Sequence, residues 1–118
     1  MSKTVINTCD APAAIGPYVQ AIKAGNFLFT SGQIPLDPKT NTLVQGDVKV
    51  QARQSCQNLL AVLKEAGMSA SDVVKTTCFI KNIEDFAAFN EVYAEFFGAA
   101  APARSCVEVA RLPFSHQH

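Results

Sequence analysis

The chain has no tryptophan, only two tyrosines and two histidines, and no net charge. Ten basic and ten acidic residues cancel. Such a balance leaves no long-range field to gather nucleic acid or an anionic membrane, so neither is an expected partner. No run reaches the roughly 18 apolar residues of a membrane span. The early residues do not read as a secretory leader, because Lys3 is the only charge there and Thr4, Asn7 and Asp10 interrupt any apolar stretch. The four cysteines, Cys9, Cys56, Cys78 and Cys106, contain no CxxC pair. That spacing is not a zinc signature, and no metal or cofactor is expected. Free thiols in a reducing compartment, the cytoplasm or an organelle, are the simple inference, with a disulfide-linked secreted protein as the alternative. There is no internal repeat and no low-complexity tract.

What is present is an ordinary folding composition, 48% hydrophobic and 17% charged, in 118 residues. That length suits one domain over residues 1–118. Val5-Ile6-Asn7 reads as a short strand. Tyr18 to Lys23 and Phe27 to Gln33 read as two strands around Ala24-Gly25-Asn26, a hairpin signal with glycine in the turn. Pro35 to Gly46 reads as a polar connection. Asp47 is placed to cap a helix on which Ala52, Cys56, Leu59, Leu60, Leu63 and Ala66 form one apolar stripe, ended at Gly67. Val73 to Ile80 is a β-branched strand. Asn82 with Asp85 resembles a capping box before a second helix, where Phe86, Phe89, Tyr93 and Phe96 form an aromatic stripe read as core. The order β-β-β-α-β-α-β predicts an α+β fold: a single mixed sheet with two helices on one face and the other face open to solvent or a second subunit.

The last strand carries the chemistry. Over Pro102 to Pro113, alternation puts Arg104, Cys106 and Glu108 on one face and Ala103, Ser105, Val107 and Val109 on the other. The second face is small and apolar, and is expected to lie on the core. An arginine held on a strand clamps a small carboxylate well, since its planar fork donates two parallel hydrogen bonds. A solvated or ion-paired surface arginine is the plain alternative.

Four blocks together resemble the Rid family, the YjgF-like reactive-intermediate deaminases. They are Ala14-Ile15-Gly16-Pro17-Tyr18-Val19-Gln20, Phe29-Thr30-Ser31-Gly32-Gln33-Ile34-Pro35, Asn90-Glu91-Val92-Tyr93 with Phe96-Phe97, and Pro102 to Pro113. They span residues 14 to 113 in the family's order. The resemblance implies a chorismate-mutase-like α+β fold and a homotrimer with three clefts between subunits. It also implies hydrolysis of enamines or imines of 2-oxo acids, of the 2-aminoacrylate and 2-aminocrotonate type, to the oxo acid and ammonia. It departs from the family at the end. There the family has a further strand with a glutamate thought to position water; here Phe114-Ser115-His116-Gln117-His118 follows Pro113.

The expected site follows from that chemistry. Water adds to the imine carbon and ammonia leaves, which needs a carboxylate anchor, a polarising donor and a proton route. Arg104 is the expected anchor. Cys106 lies two residues on, as a lining or hydrogen-bonding thiol or simply a buried one. Tyr18 offers a phenol to substrate or water. Ser31 and Gly32 offer a hydroxyl and backbone groups, unless the glycine serves only a bulge. Asn90 is expected to line the cleft or to join a loop. Glu108 is expected at the surface, about 13 Å along the strand from Arg104. His116 and His118 read as a tail rather than as metal ligands. A trimeric binding or regulatory protein for small 2-oxo acids is the second reading; an RNA-binding or chaperone role is a third, against which the charge balance argues.

Overall fold

A computed structural model describes residues 2–113. Residues 114–118, where a tail with two histidines is expected, lie outside the described residues. Among the described residues, seven strands and two helices are joined by turns and short 3-10 segments in an α+β arrangement.

The first unit is an antiparallel sheet of β1 (Thr4–Ile6), β2 (Ala21–Ala24) and β3 (Phe27–Thr30). β2 and β3 are joined by Gly25 and Asn26, with Gly25 at φ +61°. Positive φ at the first of two turn residues is what glycine supplies in a II′ hairpin. Register places Val5 opposite Ile22 and Ile22 opposite Phe29, so these three share one face. Ile6, Ala21 and Leu28 take the other face and pack on Val62 of the first helix.

The polar connection contains a hairpin that sequence periodicity misses: β4 (Leu36–Asp37) and β5 (Thr42–Leu43). Two-residue strands carry no readable alternation. The turn depends on Asn41 at φ +59°, one of the few non-glycine residues that tolerate that region.

Helix α1 (Val48–Glu65) begins where Asp47 accepts a hydrogen bond from the Val50 N–H at 3.1 Å, and Gly67 follows its end at φ +76°. Helix α2 (Phe86–Phe97) buries Val92 and Phe97 most deeply, so the buried stripe is rotated slightly from the aromatic positions. Lys49 pairs with Glu91, and Arg53 pairs with Glu95 at 2.8 Å. Four residues on α1 thus match four on α2 in the same direction. The helices run parallel in one layer.

β6 (Lys75–Ile80) pairs in parallel with β7 (Ala103–Glu108), with α2 as the crossover. The sequence suggests one continuous sheet; the hydrogen bonds fall into three ladders. The antiparallel strands are joined by turns, whereas β6 and β7 pair through a helical crossover, so each is its own pairing unit. The alternation on β7 is as read, but its sidedness is reversed. Arg104 and Cys106 are half-buried on the helix side, whereas Ala103, Ser105 and Val107 are exposed. Alternation defines two faces without saying which one the helices cover. Here α2 covers the polar one.

Candidate functional site

The register of β6 against β7 sets the site. Thr76 lies opposite Arg104, Cys78 opposite Cys106, and Ile80 opposite Glu108, all on the face under α2. From α2, Phe86, Asn90 and Tyr93 fall at i, i+4 and i+7 and project to the same patch.

Arg104 meets all three. Its Nη1 donates to Asn90 Oδ1 at 2.7 Å. Its guanidinium carbon lies 4.7 Å from the centre of the Tyr93 ring and 5.3 Å from that of Phe86. Both distances are within cation–π range. The Tyr93 hydroxyl shares a 2.6 Å hydrogen bond with Thr76 Oγ1, so the ring beneath the cation is tethered to the neighbouring strand. Burial pushes the Tyr93 phenol upward in pKa, against the Thr76 hydrogen bond. Reading the aromatic stripe as core hides Phe86 and Tyr93, and Thr76 is hidden because only the β6–β7 register sets it opposite Arg104. The helical spacing does signal the two rings: Phe86, Asn90 and Tyr93 fall on one face of α2.

Cys106 lies beside Arg104 on the same face, as expected. Cys78, which sequence reasoning did not single out, is its register partner. Burial raises the Cys78 thiol, Cys106 adds to that, and Arg104 opposes it. Glu108 sits at the surface but has work there: its Oε2 accepts from the Ile83 N–H at 2.9 Å and holds the turn that enters α2.

The other three predicted residues gather elsewhere. Tyr18 and Gly32 line a small pocket with Pro12, Ile15 and Gln33. Ser31 Oγ donates to the Val19 carbonyl at 2.6 Å, which leaves its oxygen able to accept. Tyr18 Oη accepts from the Ile15 N–H at 3.4 Å, so the phenol proton is available. Gly32 has no close neighbour on its open side and no positive φ, so no bulge requires it.

The loop leading to Tyr18 is built on Gln20, a buried side chain. It accepts from the Thr8 N–H at 2.8 Å and donates toward the carbonyls of Thr8, Ala11 and Pro12. Asn58, also buried, donates to the carbonyls of Ile34 and Leu36 and so fixes the segment after Gly32. Among the described residues no hydrogen bond or ring contact joins the Tyr18 group to the Arg104 group. No cluster of three or more His, Cys, Asp or Glu among them is placed to hold a metal ion.

An arginine held by an amide and two rings on a mixed α+β frame is a candidate small-molecule site, and comparison with known proteins narrows the class. The family model described as Endoribonuclease L-PSP matches residues 8–117. The 2-iminobutanoate/2-iminopropanoate deaminase of Salmonella typhimurium is 55% identical over 116 residues, covering 96% of this chain and 89% of the relative. A solved Rid protein of Yersinia pestis superposes with a TM-score of 0.93 at 48% identity, over 97% of this chain and 91% of that one. Escherichia coli TdcF, solved with bound serine, gives 0.89 at 50% identity, over 95% and 90%. The chain belongs to this family, the Rid or YjgF-like proteins.

Proposed function

We propose that this protein hydrolyses imines and enamines of small 2-oxo acids to the 2-oxo acid and ammonia. The observation that carries the reading is the Arg104 cradle. One N–H is committed to Asn90, two rings support the guanidinium, and its other donors are left to take a carboxylate in parallel. A cation held this way loses little rotamer freedom on binding, which is what positioning the substrate needs. The Salmonella relative is named for this activity, and TdcF binds an amino acid of similar size, which support the same substrate class.

The chemistry needs only a held carboxylate, water and proton carriers. The enamine tautomerises to the imine, water adds to the imine carbon, and the tetrahedral adduct expels ammonia as its hydroxyl proton leaves. Arg104 fixes the carboxylate, so the adjacent carbon has one orientation. Tyr18 is the proposed phenol donor to nitrogen or water, Ser31 and Gly32 are proposed to hydrogen-bond the substrate, and Cys106 lines the cleft. Asn90 acts through Arg104 as a positioning residue.

The protein is proposed to act as a homotrimer, with Tyr18, Ser31 and Gly32 of one subunit completing the Arg104 cradle of another. Support comes from the outer sheet faces. Phe27, Phe29, Phe79 and Val107 are all exposed on the isolated chain, with Phe27 at 68%. Large apolar side chains gathered on a sheet face mark association surfaces. Light scattering should give three times the 12.7 kDa chain mass. The family model's description names an endoribonuclease, but zero net charge gives this chain no long-range field to draw RNA. The cytoplasm is the proposed compartment, consistent with four free thiols among the described residues.

The test is turnover of 2-aminoacrylate generated in place by a dehydratase. The protein should speed oxo-acid release above the spontaneous rate, and Arg104→Ala should remove that acceleration while the assembly remains. An Arg104→Ala variant with full activity would sink the anchor assignment.

A further inference from the structure

We propose that Cys78 and Cys106 form a dithiol modification site, which a small disulfide oxidant closes to an intramolecular disulfide beside Arg104. The two residues are direct register partners in the parallel β6–β7 ladder. Their neighbours along each strand, Thr77, Phe79, Ser105 and Val107, are exposed on the opposite face, so both thiols project to the side under α2. Adjacent strands lie about 4.8 Å apart, inside the 4.4–6.8 Å range of Cα separations that disulfides span. Both side chains are half-buried rather than sealed, and both are unbridged. The thiols also sense one another, since Cys106 contributes to the raised pKa of Cys78.

The other two cysteines compete poorly. Cys9 is exposed in the loop after β1, far along the chain from this ladder. Cys56 is buried in α1, and burial pushes its thiol up to about 11, so little thiolate forms at neutral pH.

The step balances as ordinary exchange. The thiolate of one cysteine attacks a low-molecular-weight disulfide RSSR and releases RS⁻, giving a mixed disulfide. The second thiolate attacks the protein sulfur of that mixed disulfide and expels the second RS⁻. Two protein S–H groups are oxidised, and one RSSR is reduced to two RSH.

The bond has a consequence for the anchor. Disulfide Cβ atoms lie about 3.8 Å apart, so closing the pair tilts the two Cα–Cβ bonds toward each other and strains β7 beside Arg104. Arg104 is two residues from Cys106 on the same face, opposite Thr76. A displacement of about 1 Å in a positioning group costs on the order of 10²-fold in rate. This coupling rests on the deaminase reading; the disulfide does not.

The test incubates the reduced full-length protein with excess oxidised glutathione. It then counts thiols after denaturation, maps peptides, and measures turnover before and after dithiothreitol. The four thiols of the sequence should fall to two, with the Cys78 and Cys106 peptides linked. Turnover should fall by about 10²-fold and recover on reduction. Cys78→Val, chosen because valine suits a strand, should leave turnover of the reduced protein unchanged and should yield no linked peptide with the oxidant. Glutathione adducts without a linked peptide, linkage through Cys56, or four surviving thiols would each overturn the site. A linked pair with unchanged turnover would overturn the coupling. A reduced protein with no turnover at all would count against the deaminase reading and leave the thiol count to decide the disulfide.

Discussion

Asn90→Ala tests the cradle at its one direct hydrogen bond. The substitution removes Oδ1, which accepts from Arg104 Nη1 at 2.7 Å, and leaves the guanidinium held only by the Tyr93 and Phe86 rings. Hydrogen bonds to charged groups contribute about 1.5–3 kcal/mol. At about 1.4 kcal/mol per decade, loss of that orientation lowers kcat/KM by roughly 10- to 100-fold. Helix propensity pulls the other way, since alanine is the better helix former, and the melting temperature should change little. The assay is oxo-acid release from 2-aminoacrylate formed in place, with the assembly state checked by light scattering. A kcat/KM within twofold of the parent would refute the reasoning, because the hydrogen bond would then hold nothing the reaction uses.

Gln20→Ala should destabilise the fold by at least about 2 kcal/mol in urea titration, because it strands the Thr8 N–H and three carbonyls in and around a buried loop. Gly46→Ala should also lower the urea midpoint, since Gly46 sits at φ +142° and an added Cβ would lie 2.8 Å from the Val50 Cβ. Arg53→Ala breaks an exposed ion pair with Glu95 and should cost less than about 1 kcal/mol, less still in high salt. Stability should fall with rising alkalinity. Burial raises the Cys56 thiol from 9.0 to about 11 in the folded protein, so between those values the unfolded chain has released a proton the native one keeps. The native advantage is full below pH 9 and is lost toward pH 11, and Cys56→Val should flatten that limb of the urea-midpoint profile.

Much of this architecture is legible in the residues. Asp47 as a cap, Gly67 as an end, the Gly25 hairpin turn and the stripe through Ala52, Cys56 and Leu63 each state a local preference that the fold keeps. The pairing of β4 with β5 is not legible, because two-residue strands have no period and Asn41 carries the turn alone. The sidedness of β7 is hidden too. A face bearing Ala103, Ser105 and Val107 reads as core by composition, yet α2 offers Asn90, Tyr93 and Phe86 to the face bearing Arg104, and the polar contact wins. Arg104 is readable from its strand as a candidate anchor and Asn90 as a candidate cleft residue, but not the two as a pair. Their hydrogen bond needs the β6–β7 register, which no local pattern encodes. Gln20 and Asn58 escape for the same reason: their partners are backbone groups 8 to 24 residues away.

The most direct test of the carboxylate anchor is calorimetric titration of pyruvate, the 2-oxo acid product, into the protein and into Arg104→Ala. The parent should bind it saturably, and Arg104→Ala should show no binding with its assembly intact. Equal affinity in the two proteins, or no binding to the parent, would contradict the assignment of Arg104 as the group that holds the substrate.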